Sequence, residues 1–175
     1  MKKILFIILF LLSTNLRAEG YDVFGIGYYD VKFDGTASNE AIDFRYERRF
    51  EDSLFDIGPG KEVFYSLKPF AGLEITSDSA SYFLFGIYLH EEPGTLFDEN
   101  LSRFLITPSF GGGFYNDGDG KQLGHSIEFR TTLEISYQLK NKNRIGLSFG
   151  HISNANIGDK NPGAEIISLS YQIPY

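Results

Sequence analysis

The chain has 175 residues, no cysteine and no tryptophan, and 23 acidic residues against 16 basic ones give it a formal net charge of −7. That length fits a single domain, the acidic balance argues against nucleic acid as a partner, and the lack of cysteine excludes a disulfide-stapled secreted scaffold. The 17 Phe, 11 Tyr and 19 Gly residues point instead to β-structure with aromatic girdles.

The amino terminus places Lys2 and Lys3 before the apolar run Ile4 to Leu12 and the segment Ser13 to Ala18. This is the n-region, h-region and cleavage-region order of a secretory signal peptide. Residues 1–18 are therefore read as a signal peptide and 19–175 as one exported domain; the h-region is short for a membrane span. Loss of Lys2, Lys3 and Arg17 with the leader brings the net charge to about −10.

Eight segments after the leader carry strand signals, and none shows helical periodicity of useful length. The first runs from Tyr21 to Lys32 and the second from Ala41 to Phe50, where Ile42, Phe44 and Tyr46 alternate with Asp43, Arg45 and Glu47. The third, Phe64 to Thr76, sets Leu67, Ala71, Leu73 and Ile75 against Ser66, Lys68 and Glu74. The fourth, Ser81 to His90, has Phe83, Phe85, Ile87 and Leu89 in one row. The fifth, Phe104 to Tyr115, alternates Phe104, Ile106, Phe110 and Phe114 with Thr107, Ser109, Gly111 and Gly113. In the sixth, Ser126 to Leu139, Ile127, Phe129, Leu133, Ile135, Tyr137 and Leu139 alternate with Glu128, Arg130, Glu134 and Gln138. Arg144 to Ser153 and Glu165 to Tyr175 complete the set.

Period-two alternation puts each row on one face of its strand, but it does not say which face is turned inward. A soluble exported barrel holding an apolar ligand would bury the apolar rows. Export, strand length, the lack of cysteine and the terminal Tyr175 favour the opposite arrangement, an all-β, eight-stranded antiparallel transmembrane barrel with apolar rows outward and a polar lumen. Tyr175 resembles the terminal aromatic that outer-membrane barrels present to their assembly machinery. With both termini on the periplasmic side, the connections Asp34–Glu40, Ser77–Ala80, Asn116–Gly124 and Asn154–Gly163 lie outside. Glu51–Val63 and Glu91–Arg103 are then periplasmic and longer than such turns usually are.

The last two strands carry the candidate chemistry. His151 and Ser153 extend the row Ile145, Leu147 and Phe149, and Glu165 heads the row Ile167, Leu169, Tyr171 and Ile173. If Phe149 lies opposite Ile167 in an antiparallel hairpin, His151 lies opposite Glu165, with Cβ atoms roughly 4.5–5.5 Å apart. A serine needs a base within hydrogen-bond reach and a group to orient that base. Ser153 is thus the candidate nucleophile, His151 the base and Glu165 the orienting acid of an esterase acting without a metal or other cofactor. Asn154, Asn161 and the backbone N–H groups of the Asn154–Gly158 turn, Asn156 among them, are candidate oxyanion donors. A His-x-Ser pair is by itself a weak signal, and interfacial girdle residues beside a turn rich in turn formers would read the same way.

These residues carry a resemblance. His151, Ser153 and Asn154, followed by Asn161 and Glu165, resemble the His-x-Ser-Asn motif with its later asparagine and glutamate found in PagL-type lipid A 3-O-deacylases, outer-membrane barrels of eight strands. The resemblance implies His151 as base, Ser153 as nucleophile, Glu165 as orienting acid, and Asn161 with loop backbone as the oxyanion hole. Asn156 departs from the resemblance, since a well-known member of the family carries a glycine at that place. The implied activity is hydrolysis of the ester-linked 3-hydroxyacyl chain at position 3 of the proximal glucosamine of lipid A. The implied location is the outer membrane of a Gram-negative bacterium, with the site near the outer leaflet. Lipid A or lipopolysaccharide is then the partner, and a homodimer is compatible with the reading. Leu147, Phe149 and Ile167 are placed to meet acyl chains, and Lys160 a phosphate. The rival is a non-catalytic small barrel with a structural or adhesive role.

Other motifs are weaker. Asn116–Gly120 (NDGDG) lacks the spaced ligands and closing glutamate of a calcium loop and reads as a hairpin turn. His90 beside Glu91 and Glu92, and His125, lack metal-ligand spacing and read as strand-end residues. Gly111–Gly113 lies within a strand, where it relieves crowding or permits a bend.

Overall fold

The computed structural model describes residues 20–32, 40–58, 65–89 and 101–175. The expected signal peptide lies outside them, as do His90, Glu91 and Glu92 and parts of three expected connections. Among the described residues there are nine strands: β1 Tyr21–Tyr29, β2 Ala41–Arg49, β3 Phe55–Ile57, β4 Tyr65–Thr76, β5 Ser81–Tyr88, β6 Phe104–Asn116, β7 Ile127–Gln138, β8 Arg144–Ser153 and β9 Ala164–Pro174. Eight of them pair antiparallel in the ring β1-β2-β4-β5-β6-β7-β8-β9, and β9 returns to β1, so the main sheet has no free edge. Closure satisfies the backbone hydrogen bonds that an open sheet would leave bare in lipid.

The faces are sorted as an outer-membrane barrel requires. Phe24, Ile26, Phe44, Phe83, Phe85, Phe110, Leu133, Ile135, Leu147 and Leu169 are exposed on the outside, while Asp43, Arg45, Glu47, Arg49, Glu128, Arg130 and Glu134 are buried in the lumen. A soluble barrel would invert the two rows. The lumen charges are paired across the molecule: β2 and β7 stand on opposite sides of the ring, and Arg49 Nη1 lies 2.7 Å from Glu134 Oε1. Arg130 reaches Glu47 and Glu74 from the same side as Glu134, and Gln172 Nε2 and Ser170 Oγ donate to Glu134 at 2.8 and 3.1 Å. Removed from water, Glu47, Glu74 and Glu134 are each held by a guanidinium from another strand, which is the condition for burying charge at tolerable cost, whereas the Asp43 and Glu128 carboxylates are buried with no hydrogen-bond partner among the described residues.

Three details depart from the sequence expectation. β1 stops at Tyr29 rather than Lys32, because Asp30 takes φ +58° and turns inward to an ion pair with Lys121 at 2.5 Å. The expected Glu51–Val63 connection contains β3, whose Phe55, Asp56 and Ile57 pair with Leu67, Ser66 and Tyr65 and prolong the β2–β4 ladder beyond the ring. The glycines of β6 answer close approaches: a Cβ at Gly111 would stand 2.8 Å from Phe85 O and 3.1 Å from the Phe70 ring in the lumen, one at Gly113 would meet Phe83 O, and one at Gly112 would stand 3.1 Å from Phe129 on the outer wall.

Candidate active site

The β8–β9 pairing places Phe149 opposite Ile167 and His151 opposite Glu165. Both members of the second pair are on the outer face, with side chains 46% and 36% exposed, and His151 Nδ1 lies 3.2 Å from Glu165 Oε1. With Nδ1 engaged by the carboxylate, Nε2 is the nitrogen left to exchange a proton with a reacting group. Ser153 follows two residues along the same face, opposite Phe129 of β7. Among the described residues no hydrogen bond joins its hydroxyl to His151. Catalytic hydrogen bonds commonly tighten only around substrate.

The connection after β8 is a polar turn whose path is set by one side chain. Asn154 is fully buried; its Nδ2 donates to the carbonyls of Leu123 (2.9 Å) and Lys160 (2.7 Å), and its Oδ1 accepts from the Asn156 N–H (3.0 Å). The Asn154 N–H in turn donates to Asn161 Oδ1 at 3.0 Å, and Asn161 Nδ2 donates to Asn156 Oδ1 at 3.2 Å. Ala155 and Asn156 both adopt left-handed backbone, φ +53° and +63°. Asparagine tolerates that region better than other non-glycine residues, so Asn156 suits its place in the turn.

This network narrows the oxyanion candidates. Both amide hydrogens of Asn154 are spent inside the loop and so is the N–H of Asn156, so neither group is offered to a ligand on the outer wall. Asn154 is a strut of the turn. Asn161 commits one amide hydrogen to Asn156 and retains the other.

Two residues that sequence reasoning did not single out shape the site. Gly163 has φ +60°, and a Cβ there would stand 2.8 Å from His151 Cε1 and 3.4 Å from Nε2. A side chain at this position would therefore displace the imidazole. Pro162-Gly163 reads as turn chemistry in the sequence, but its approach to the ring depends on the loop path. Leu123, fully buried, presents the carbonyl that anchors Asn154, which ties the β8–β9 turn to the β6–β7 connection. On the outer wall Phe129 lies parallel to Phe110, with ring centroids 6.2 Å apart and planes within 5°. Lys160 is exposed beside this turn.

Comparison with known proteins converges on one group. The family model described as lipid A 3-O-deacylase (PagL) matches residues 70–174, from within β4 to the end of β9. The lipid A deacylase PagL of Bordetella bronchiseptica (strain ATCC BAA-588 / NCTC 13252 / RB50) is 34% identical over 71 residues, 39% of this chain and 40% of that protein. The alignment thus spans about two-fifths of that relative's length. Among solved structures, the crystal structure of the outer membrane enzyme PagL superposes with a TM-score of 0.62 at 18% identity, covering 89% of this chain and 99% of the other. Neisserial surface protein A gives a TM-score of 0.54 at 11% identity, covering 90% and 96%. At these identities the structural likeness speaks for the fold.

Proposed function

The chain belongs to the lipid A 3-O-deacylase (PagL) family, and from that premise we propose that it is an outer-membrane esterase that removes the acyl chain ester-linked at position 3 of the proximal glucosamine of lipid A. The observation that carries this reading is the His151–Glu165 contact of 3.2 Å on the lipid-facing wall, with Ser153 on the same face. A substrate already in the outer leaflet reaches such a site sideways, and the wall itself serves as its binding surface. Polar side chains cost little at that position, because the penalty on the lipid face falls to about 0–1 kcal/mol near the interface.

In the proposed reaction Ser153 Oγ attacks the ester carbonyl carbon while His151 Nε2 takes its proton. Glu165 holds the Nδ1–H and stabilises the imidazolium that forms. The free N–H of Asn161 stabilises the tetrahedral oxyanion, supplemented by backbone donors of the turn. Collapse expels the sugar 3-oxygen, which takes the proton from His151. Water, deprotonated by His151, then attacks the acyl-serine ester, and a free 3-hydroxy acid leaves with Ser153 restored. Leu147, Phe149 and Ile167 flank the site and offer apolar surface to acyl chains, and Lys160 is the nearest cation for a headgroup phosphate.

The test is mass spectrometry of lipid A from cells expressing the protein or its Ser153→Ala variant. Loss of one 3-hydroxyacyl chain with the unaltered protein alone is the expected result. Identical spectra from the two strains would overturn the proposal.

A further inference from the structure

We propose that a cleft in the β6–β7 connection is a subsite for the uncharged sugar portion of a glycolipid headgroup. The inference rests on the deacylase reading and extends it to the part of the substrate that does not react. The cleft has a volume of about 480 Å³ and is lined by Asn116, Asp117, Gln122, Leu123, His125 and Ser126, among others.

Its position relative to the reactive hairpin is fixed by contacts. The Leu123 carbonyl accepts from Asn154 Nδ2, and Gly158 packs so closely on this connection that a Cβ there would stand 2.7 Å from Gly124 O and 3.1 Å from His125 Cβ. Phe129 lies opposite Ser153, and His125 precedes it by four residues through a bend at His125 and Ser126, so the two are at most about 13 Å apart at ~3.3 Å per residue. That separation is of the order of a disaccharide. A glycolipid whose ester lies at Ser153 can therefore extend its sugars toward the cleft without leaving the barrel surface.

The walls are already set. Tyr115 Oη donates to Lys121 O at 2.8 Å, Gly120 N to Asp117 O at 2.7 Å, and Asp119 N to Asp78 O at 3.0 Å, which docks the β4–β5 turn against the connection. A preformed polar cleft spends little of its binding energy on ordering itself.

The donor and acceptor set selects the ligand class. Among the described lining residues there is no Lys or Arg, and Lys121 of the same connection has its ammonium paired with Asp30. The Asp117 carboxylate disfavours a phosphate. The remaining groups suit hydroxyls and amides: Asp117 accepts, while the Gln122 amide and Ser126 hydroxyl both donate and accept. Asn116 Oδ1 is occupied by the Gly118 N–H at 3.3 Å, which leaves its Nδ2 to donate. His125 Nδ1 accepts from the Ile127 N–H at 2.9 Å, which places the proton of the neutral ring on Nε2 as a further donor.

The experiment compares the detergent-solubilised protein with its Gln122→Ala/His125→Ala and Ser126→Ala variants on two substrates: lipid A, and a p-nitrophenyl acyl ester that carries no sugar. The ratio of kcat/KM for lipid A to that for the sugar-free ester should fall about tenfold in the double variant, as two lost neutral hydrogen bonds imply. An unchanged ratio would overturn the subsite, whether or not the absolute rates fall, because a merely structural defect lowers both alike. If the unaltered protein fails to cleave lipid A, it is the deacylase reading that falls. The cleft is then decided by NMR titration with a soluble glucosamine disaccharide: binding that weakens in the double variant supports it, and absence of binding ends it.

Discussion

At the residue scale the placement of the proposed trio follows from period two and one hairpin register. Rows of alternating side chains put His151 and Ser153 on one face and Glu165 at the head of the facing row, and the register brings imidazole and carboxylate together. Glu165→Ala should fold and react roughly 10²- to 10³-fold more slowly, less than the loss seen for the buried acid of a soluble triad, because this carboxylate is partly in water. Undiminished turnover of lipid A would remove Glu165 from the relay. What the sequence could not display is a contact made through a backbone angle. Gly163 approaches His151 only because its φ is +60° and the turn folds back over the ring. Gly163→Ala should lower kcat about 100-fold, the penalty of an ångström-scale misplacement, and also cost about 1–2 kcal/mol of stability, because a side chain strains left-handed backbone. A variant that keeps full activity would show that the imidazole has room to spare.

At the scale of the elements, strand identity was legible wherever alternation persisted for eight residues or more, and it failed where a strand was short. β3 is three residues long and its Phe55, Asp56 and Ile57 are all exposed, so no periodicity could announce it. The β8–β9 turn is a different case. Its asparagines are visible in the sequence as candidates for binding an oxyanion, yet Asn154 is spent on the carbonyls of Leu123 and Lys160, because its fully buried amide has to be paired within the fold. Asn154→Ala leaves those carbonyls without a donor and should cost about 1–3 kcal/mol. The expected signature is a lower urea midpoint together with faster amide exchange through residues 155–161. An unaltered exchange pattern would mean that the turn keeps its shape without the strut.

At the scale of the whole molecule, alternation established two faces and left their sense open; burial of the charged rows resolves it. The identity of the lumen partners was not in the sequence, since Arg49 meets Glu134 only after the ring closes with β2 across from β7. Glu134→Ala removes the acceptor of Arg49, Arg45, Ser170 and Gln172 at once and should cost about 3–5 kcal/mol, the range for stranding a buried charge. On the opposite face, Leu133→Arg places a charge in the middle of the outer row of β7 and should cost about 2–4 kcal/mol. Both are read from urea titrations of the protein folded into lipid vesicles. A Leu133→Arg protein as stable as the parent would mean that this wall does not face hydrocarbon.

The bridges between opposite walls also bear on how a cell envelope tolerates such a protein. A cylinder corked by its own guanidinium and carboxylate groups should conduct no ions, and planar-bilayer recordings are expected to show a flat baseline; stepwise currents would show that the cork leaks. If the proposed chemistry runs on the outside of such a wall, the permeability barrier stays whole however many copies are inserted.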